Sequence, residues 1–348
     1  MTRRRHFPSI LQSMSGIDST AWKQGLKHAE RMHADAILLP MPWSEFDSMA
    51  EVLGAPLLDL DALAPEVERA RRQRVGVFLE INLPSSQGER HTKRSLSQIQ
   101  ERLIKPLMAL DLAGIVIRSG ISWPASSILE LERLIRLKEG AVLFIDHGRG
   151  PDTELMDGQV DGVVDPTGVA GISRFLAGQC SGNDVGRHLV QQQERLGINL
   201  AGRVLNPLEK LKAKEPHFSI GVGLSFALRG YPLLPSSAIG MPEHICGPPA
   251  QLRRLRAALE WGRFVNLSPS ENPDVFAFAR ADERVSEPVI VVARRGAGAA
   301  FSLPLGVGSF DLRRPFLSLL GARDEYCASD GWLDFPASEG PELLLLGQ

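Results

Sequence analysis

The sequence contains few cysteines, the residues that folds stabilised by disulfides or by structural zinc require. Its 348 residues include only three cysteines, Cys180, Cys246 and Cys327, which are far apart in the chain. No two of them have the spacing of a zinc-binding pair, and an odd number argues against a disulfide framework. The fold therefore depends on an apolar core, and 43% hydrophobic residues are sufficient to build one.

Long apolar runs and a strong charge imbalance are also absent from the sequence. No run approaches the roughly 20 apolar residues of a membrane-spanning helix. No apolar segment follows the basic cluster at residues 3–6 as a secretion signal requires. The net charge of −2 favours neither nucleic acid nor an acidic membrane as a partner. We expect a cytoplasmic protein that binds neither of them.

Several common chemical motifs are missing as well. No Walker loop, GxGxxG, HExxH or GxSxG motif occurs in a suitable context. We therefore predict no cofactor and no metal site. The chain also has only 2 tyrosines, which is few for a groove that binds saccharides.

Short aliphatic runs alternate with longer helical patterns through the first half of the chain. Strands are predicted over 36–42, 75–84, 114–119, 141–146 and 161–168, and helices over 18–34, 65–74, 95–113 and 126–140. Strands that are apolar on both faces and alternate with helices are typical of a parallel sheet covered by helices. This α/β pattern indicates a (β/α)8 TIM barrel. Whether all eight strands are present stays open, and we expect a missing or distorted strand between Gly168 and Leu205.

The pattern changes after about Phe264. The segments PDVFAFARADE, EPVIVVARR and GAAFSLPLG are short alternating runs separated by turn residues, which indicates a small antiparallel β domain. A predicted helix over 249–263 precedes them. We therefore predict a barrel over residues 1–263 and an antiparallel β domain over residues 264–348.

One segment, SIGVGLSFALRGYPLLPSSAIGMPE at 219–243, combines a helix, a glycine stop, a short buried strand and a tight turn. It resembles the late barrel segment of the alpha-amylase superfamily (glycoside hydrolase family 13) and is nearest to trehalose synthases (maltose glucosyltransferases). PDVFAFAR and EPVIVVARR resemble strands of the same family, and the resemblance extends from about Gly16 to the end of the chain. The matching residues of the segment are Leu228, Gly230, Pro232, Leu233, Ile239, Gly240 and Met241.

The resemblance implies retaining glycosidase chemistry, which uses a nucleophile and an acid/base carboxylate roughly 5 Å apart. It places Arg118 at the position of the nucleophile, Asp146 at that of the acid/base and Leu208 at that of the transition-state aspartate. Pro207 takes the place of a sugar-binding histidine. Two of the three catalytic positions therefore lack a carboxylate. The excursion after the third strand is also nearly absent, so we expect no calcium site there.

Polar and aromatic residues near the strand ends are candidates for binding a ligand. They are Asp146, His147, Arg149, Glu80, Arg118, Asn206, Trp43 and Trp123. Other interpretations stay open. Asp146 and Arg118 can form a structural ion pair, Glu80 can be a hydrogen-bonded residue of the barrel mouth, and the two tryptophans can pack in the core or at its rim.

Three functional hypotheses follow. The first is a catalytically inactive member of α-glucan, maltose or trehalose metabolism, which binds an α-glucan or a disaccharide or serves as the partner of an active homologue. The second is an active glucosidase or glucosyltransferase that uses Asp146 with Glu80 or Glu209. The third is a structural scaffold whose barrel mouth is filled by its own side chains. A barrel fold alone does not choose among them.

Overall fold

The structure of the chain is a computed structural model. It describes residues 7–16, 18–40, 60–83, 109–119, 125–146, 160–200, 202–282, 287–306, 310–321 and 324–348. No helix among these residues has the length and apolarity needed to cross a bilayer.

Eight parallel strands form a closed barrel in chain order, which confirms the predicted TIM-barrel fold. The strands are β1 (Leu11–Ser13), β2 (Ala36–Pro40), β3 (Gly76–Leu83), β4 (Gly114–Ser119), β5 (Val142–Asp146), β6 (Gly162–Val164), β7 (Val204–Pro207) and β8 (Tyr231–Leu234). The register of β1 against β8 pairs Leu11 with Leu233. The fully buried Gln12 reinforces this junction, because its Nε2 donates to the carbonyl of Pro235 at 3.0 Å.

No strand is missing between Gly168 and Leu205, so that expectation is wrong. Two helices occupy most of this run, and β7 follows them. Among the described residues, helices are α1 (Ser19–Arg31), α2 (Leu60–Arg72), α3 (Ala125–Arg136), α4 (Thr167–Leu176), α5 (Gly182–Leu200), α6 (His217–Ala227), α7 (Glu243–Leu255) and α8 (Ala257–Trp261). Most of the helix predicted over 95–113 lies outside the described residues.

The first predicted helix shows how local sequence sets an element boundary. Asp18 has an extended backbone, and its side chain accepts hydrogen bonds from the backbone N–H groups of Thr20 and Ala21 at 2.8 and 2.9 Å. This N-cap satisfies amide groups that have no partner within the helix. The apolar face of α1 buries Trp22, which is fully inaccessible to solvent.

The barrel interior is packed by side chains of alternating size. Phe78 on β3 and Phe144 on β5 have ring centroids 6.3 Å apart, although β4 lies between their strands. Gly114 on β4 makes this possible, because a Cβ atom there would lie 2.6 Å from the Phe78 ring and 2.4 Å from the carbonyl oxygen of Val142. The centre of the barrel is therefore a packed core.

An antiparallel β domain follows the barrel, as predicted. Its six-stranded sheet has the order β14-β13-β17-β11-β10-β9, and its three-stranded sheet has the order β12-β16-β15. Buried apolar side chains from both sheets, including Val292, Leu303 and Phe335, form one core. The strands are β9 (Arg263–Asn266), β10 (Val275–Ala281), β11 (Val289–Arg294), β12 (Phe301–Pro304), β13 (Phe316–Ser318), β14 (Glu325–Tyr326), β15 (Ala328–Ser329), β16 (Trp332–Phe335) and β17 (Glu342–Gly347).

By its contacts, the chain groups into two compact units. The first contains residues 1–165 and 233–240, and the second contains residues 166–232 and 241–348. Within the second unit, α5 packs on β9 and β10, and α6 packs on β11 and β17. The antiparallel domain therefore shares a unit with the helices that precede β7 and β8, although its first strand begins near the predicted boundary at residue 264.

The turn that leads into β8 has an unusual set of backbone contacts within this second unit. Arg253, which is 1% exposed, donates to the carbonyls of Phe226 at 2.7 Å and Leu228 at 3.1 Å, and also to that of Gly230. The same guanidinium donates to the carbonyl of Leu259 at 3.0 Å. A single buried side chain thus joins the end of α6, the start of β8 and helix α8.

Two further side chains complete the turn. Arg280 donates to the carbonyl of Ala227 at 2.6 Å, and Asn206 donates to the carbonyl of Arg229 at 2.8 Å. Burial, together with the neighbouring Arg253 and Arg229, lowers the pKa of Arg280. All five carbonyls of residues 226–230 therefore accept a hydrogen bond from a side chain.

Gly230 has a φ of +95°, and a Cβ there would lie 2.1 Å from the carbonyl oxygen of Val204, so only glycine fits.

We predict that Arg253→Met lowers the free energy of unfolding by about 3 kcal/mol or more, because several buried carbonyls lose their donor. Thermal and urea unfolding of the purified variant measure this change. Arg254→Met is the matched control, since Arg254 is exposed in the same helical turn. Equal stability of the two variants would show that the turn does not depend on the buried guanidinium.

Candidate functional site

Three charged residues lie at the carboxyl ends of consecutive strands in the first unit. They are Glu80 on β3, Arg118 on β4 and Asp146 on β5. Barrel enzymes place their active sites at this end of the strands. The register pairs Arg118 with Asp146, and it pairs Glu80 with Val116. Because paired positions in parallel strands share a face, the side chains of Arg118 and Asp146 lie side by side.

Arg118 forms an ion pair with Glu80. Its Nε lies 2.9 Å from Glu80 Oε1, and the two side chains are 17% and 8% exposed. One interpretation of the sequence pairs Arg118 with Asp146, and this contact adds the carboxylate on the other neighbouring strand. The guanidinium therefore stands between two acidic residues, one in direct contact and the other next to it in register. Solvent screens such a half-buried charge group less than a surface pair.

A fourth strand end carries a carboxylate within the segment 165–168, which the sequence offers either as a binding loop or as a plain turn. Asp165 directly follows β6 and is fully buried. The segment Asp-Pro-Thr-Gly is typical of a turn, and α4 does begin within it, at Thr167. The available signal was an acidic residue immediately after an apolar strand, as at Asp146. Buried carboxylates are rare unless they have partners, so Asp165 belongs among the candidate residues of this end of the barrel.

Another buried aspartate, Asp161, stabilises the fold. Asp161 accepts from the backbone N–H of Leu143 at 2.9 Å, and Arg136 lies 3.2 Å from the same carboxylate. These contacts connect the start of β6 to β5 and to the end of α3. Asp161 therefore stabilises the amino ends of the strands.

The end of β7, in the second unit, is built from apolar and backbone contacts. Asn206 is 3% exposed, and its amide nitrogen is the donor to Arg229 described above. Leu208 is also 3% exposed and begins a short 3-10 helix. Glu209 is solvent-accessible, and Lys210 Nζ lies 3.9 Å from its carboxylate. Asn206 thus stabilises the turn before β8. The sequence offered it as a ligand-binding candidate and did not indicate this structural role.

Four of the predicted ligand-binding residues lie outside the described residues. They are Trp43, Trp123, His147 and Arg149. Their assignment stays a prediction. Among the residues that the structure does describe, no group of three or more His, Cys, Asp or Glu side chains could hold a metal ion.

The whole chain matches solved structures of amylase-type enzymes. One is a noncanonic maltogenic alpha-amylase from Thermotoga neapolitana, with a TM-score of 0.74, 10% sequence identity and 98% coverage of both chains. Another is the debranching enzyme from Nostoc punctiforme, with a TM-score of 0.72, 12% identity and 98% coverage of both. A third is the cyclic alpha-maltosyl-(1→6)-maltose hydrolase from Arthrobacter globiformis, with a TM-score of 0.68, 13% identity and coverage of 97% of this chain and 98% of that chain.

No protein-family model matches the chain, and no curated protein matches it. At such low identity the likeness to these enzymes establishes the fold. The chain has the amylase-type architecture, in which a parallel eight-stranded barrel is combined with a β domain. This agrees with the resemblance first noticed at the turn before β8.

We predict that Glu80 and Arg118 are energetically coupled. Glu80→Gln and Arg118→Met should each lower the free energy of unfolding by about 1–3 kcal/mol, since each leaves a half-buried partner without its counter-charge. The loss of unfolding free energy in the double variant should be smaller than the sum of the two single losses, by about 1 kcal/mol or more. Urea unfolding of the four proteins completes this double-mutant cycle.

Glu68→Gln provides the control for this cycle, because the Glu68 carboxylate pairs with Arg71 and Arg72 on the surface of α2. It should leave the unfolding midpoint unchanged. Strictly additive losses from Glu80 and Arg118 would contradict the coupling. A gain of stability in either single variant would point instead to a strained pair that is kept for binding.

Proposed function

We propose that this chain is an amylase-like barrel protein of α-glucan metabolism that binds an α-glucan without cleaving it. The observation that carries the proposal is the Arg118 guanidinium at the carboxyl end of β4, where the family resemblance places the nucleophile. Arg118 is fixed there by its 2.9 Å contact with Glu80. A guanidinium has no acceptor lone pair to offer and cannot attack an anomeric carbon.

Electrostatics supports the same conclusion. The transition state of glycoside hydrolysis has oxocarbenium character, so positive charge develops on the sugar ring. A guanidinium at the position of the nucleophile supplies no negative charge there, whereas an active site places donors and charges that favour the developing charge. The position of the transition-state aspartate is occupied by Leu208, which is buried and carries no charge. Neither position therefore supplies the catalytic group that the chemistry needs.

The choice of an α-glucan rests on the amylase-type fold. The matching structures are named for enzymes of this substrate class, and two of them are described with maltotriose or maltose bound. A barrel that keeps the fold but has lost the nucleophile can retain sugar binding, because binding and bond cleavage use different groups. The protein would then present or sense a glucan, or assist an active homologue as a non-catalytic partner.

A second candidate function rests on the carboxylates at the strand ends. Asp146 is paired in register with Arg118, and Glu80 contacts Arg118 directly. Two acidic residues therefore flank one cation. In this alternative, Asp146 acts with Glu80 in a rearranged glucosidase or glucosyltransferase site. Glu209 is less suitable than Glu80, since it is solvent-accessible and adjacent to Lys210. A scaffold with a filled barrel mouth would bind no sugar at all.

We predict no turnover of α-glucosides. Purified protein incubated overnight with maltose, trehalose or maltoheptaose should give no new anomeric signals in proton NMR. Saturation transferred from the protein to maltoheptaose at the start of the incubation should be detectable. It should fall in Asp146→Asn, because this change removes a charged acceptor from the proposed site.

The outcomes of this experiment separate the three functions. New anomeric signals that disappear in Asp146→Asn would establish the rearranged enzyme and reject the binding protein. Saturation transfer without turnover supports the proposal. If neither signal is observed, the scaffold is favoured. Asp184→Asn is a suitable control, since Asp184 is an exposed aspartate at the start of α5 whose side chain contacts Ser181 and Arg187.

A further inference from the structure

The three-stranded sheet of the β domain has one buried face and one exposed face. Along β16, Leu333 and Phe335 are buried, whereas Trp332 and Asp334 point to solvent. The neighbouring strands follow the same alternation, which is typical of an antiparallel sheet that covers a core on one side. We call the exposed side the Trp332 face; it consists of Ser302, Pro304, Ser329, Trp332 and Asp334.

Trp332 dominates this face. It is 48% exposed, which is unusual for so large an apolar side chain on a strand. Its direct cross-strand neighbours are Pro304 on β12 and Ser329 on β15, and both are small enough to leave the indole accessible. The face therefore presents an aromatic ring on a flat surface.

The position of Trp332 is fixed by the turn that precedes it. Asp330 and Gly331 connect β15 to β16 with φ angles of 51° and 82°. Two successive positive φ values define the tight hairpin turn that Asp-Gly sequences favour. Because the indole follows this turn directly and is paired on both sides, little conformational entropy is lost when a ligand stacks on it.

Hydrogen-bonding groups lie beside the indole. Asp334 is on the same side of β16, two residues beyond Trp332, and its Oδ1 accepts a hydrogen bond from the Ser302 hydroxyl of the facing strand. This contact holds the carboxylate in place, and its second oxygen can accept a further hydrogen bond. The hydroxyl of Ser329 lies on the other side of the ring, on β15.

The charge of the Trp332 face restricts the class of ligand. It contains one carboxylate, and none of its five residues is basic. Nucleic acids, phosphorylated ligands and acidic membranes are therefore disfavoured, since each needs cations at the contact. A neutral ligand with an apolar face and many hydroxyl groups fits best. The C–H face of a pyranose ring stacks on an indole, and its hydroxyls bond to carboxylate and serine oxygens.

We propose that the Trp332 face is a second α-glucan binding site of this protein, in which the indole of Trp332 stacks on a sugar ring and Asp334 accepts from its hydroxyls. The identity of the glucan rests on the proposed function, whereas the sugar-binding chemistry rests on the face itself. The site would hold a glucan chain on the β domain without any contribution from the strand ends of the barrel.

The five tryptophans of the chain allow a direct test. The protein is labelled with 5-fluorotryptophan, its five fluorine resonances are assigned by single Trp→Phe variants, and maltoheptaose is titrated in. The Trp332 resonance should shift in a saturable manner. The resonance of the buried Trp22 should not shift, and neither should that of Trp261, which is 56% exposed and serves as the matched control.

Each pattern of shifts decides between the two proposals. Shifts of Trp43 or Trp123 without Trp332 would overturn the second site and leave glucan binding by the barrel intact. No shift of the Trp332 resonance at saturating maltoheptaose would overturn the second site, and glucan binding by the barrel is then decided by the saturation-transfer experiment. A Trp332 shift that depends on protein concentration without sugar would identify an interface between copies of the chain and reject the glucan site.

Affinity electrophoresis in amylopectin gels gives an independent readout. Trp332→Ala should weaken retardation by amylopectin at least fivefold, whereas Trp261→Ala should migrate as the unchanged protein. Asp334→Asn should weaken it less, because the amide keeps one acceptor oxygen. Both tryptophans are exposed, so thermal unfolding should confirm that the variants are folded. Equal retardation of Trp332→Ala and Trp261→Ala would overturn the proposal.

Discussion

The second unit depends on how the backbone reverses between α6 and β8. Five successive carbonyl groups, those of residues 226–230, lie in a buried turn where water cannot satisfy them. Each accepts a hydrogen bond from a side chain of Arg253, Arg280 or Asn206. These donors come from α7, β10 and β7, so the turn connects helix, β domain and barrel strand. Burying these carbonyls without a hydrogen-bond donor would be costly, so the turn depends on the three side chains.

The barrel strands near the centre of the sequence could be predicted, because they are apolar on both faces and are bounded by helical patterns. The strand β1 has only three residues, and so short a run carries too little periodicity to be distinguished from a loop. The equally short β6 lies inside the strand predicted over 161–168. The expectation of a missing or distorted strand between Gly168 and Leu205 was wrong, because two helices occupy most of this run and β7 follows them.

The candidate site was predictable only in part. The hydrophobic pattern places Arg118 and Asp146 near the ends of their predicted strands, whereas Glu80 lies inside the strand predicted over 75–84. The contact of Arg118 with Glu80 was not predicted, because the long side chain of Arg118 can reach either neighbouring strand. The role of Asn206 was equally hidden, since its acceptor, the carbonyl of Arg229, is 23 residues away in sequence. Every residue has a backbone carbonyl, so the sequence does not show which carbonyl a polar side chain will bind. From sequence alone, such a side chain cannot be distinguished from a ligand-binding residue.

The two groups of charged contacts differ in what their cations face. Arg118 faces the carboxylate of Glu80, so this contact joins two opposite charges. Arg253 and Arg280 face peptide oxygens, so their contacts are charge-assisted hydrogen bonds to neutral acceptors. Replacing Arg118 by a neutral side chain therefore deprives a carboxylate of this counter-charge, whereas replacing Arg253 deprives only carbonyl dipoles of their donor.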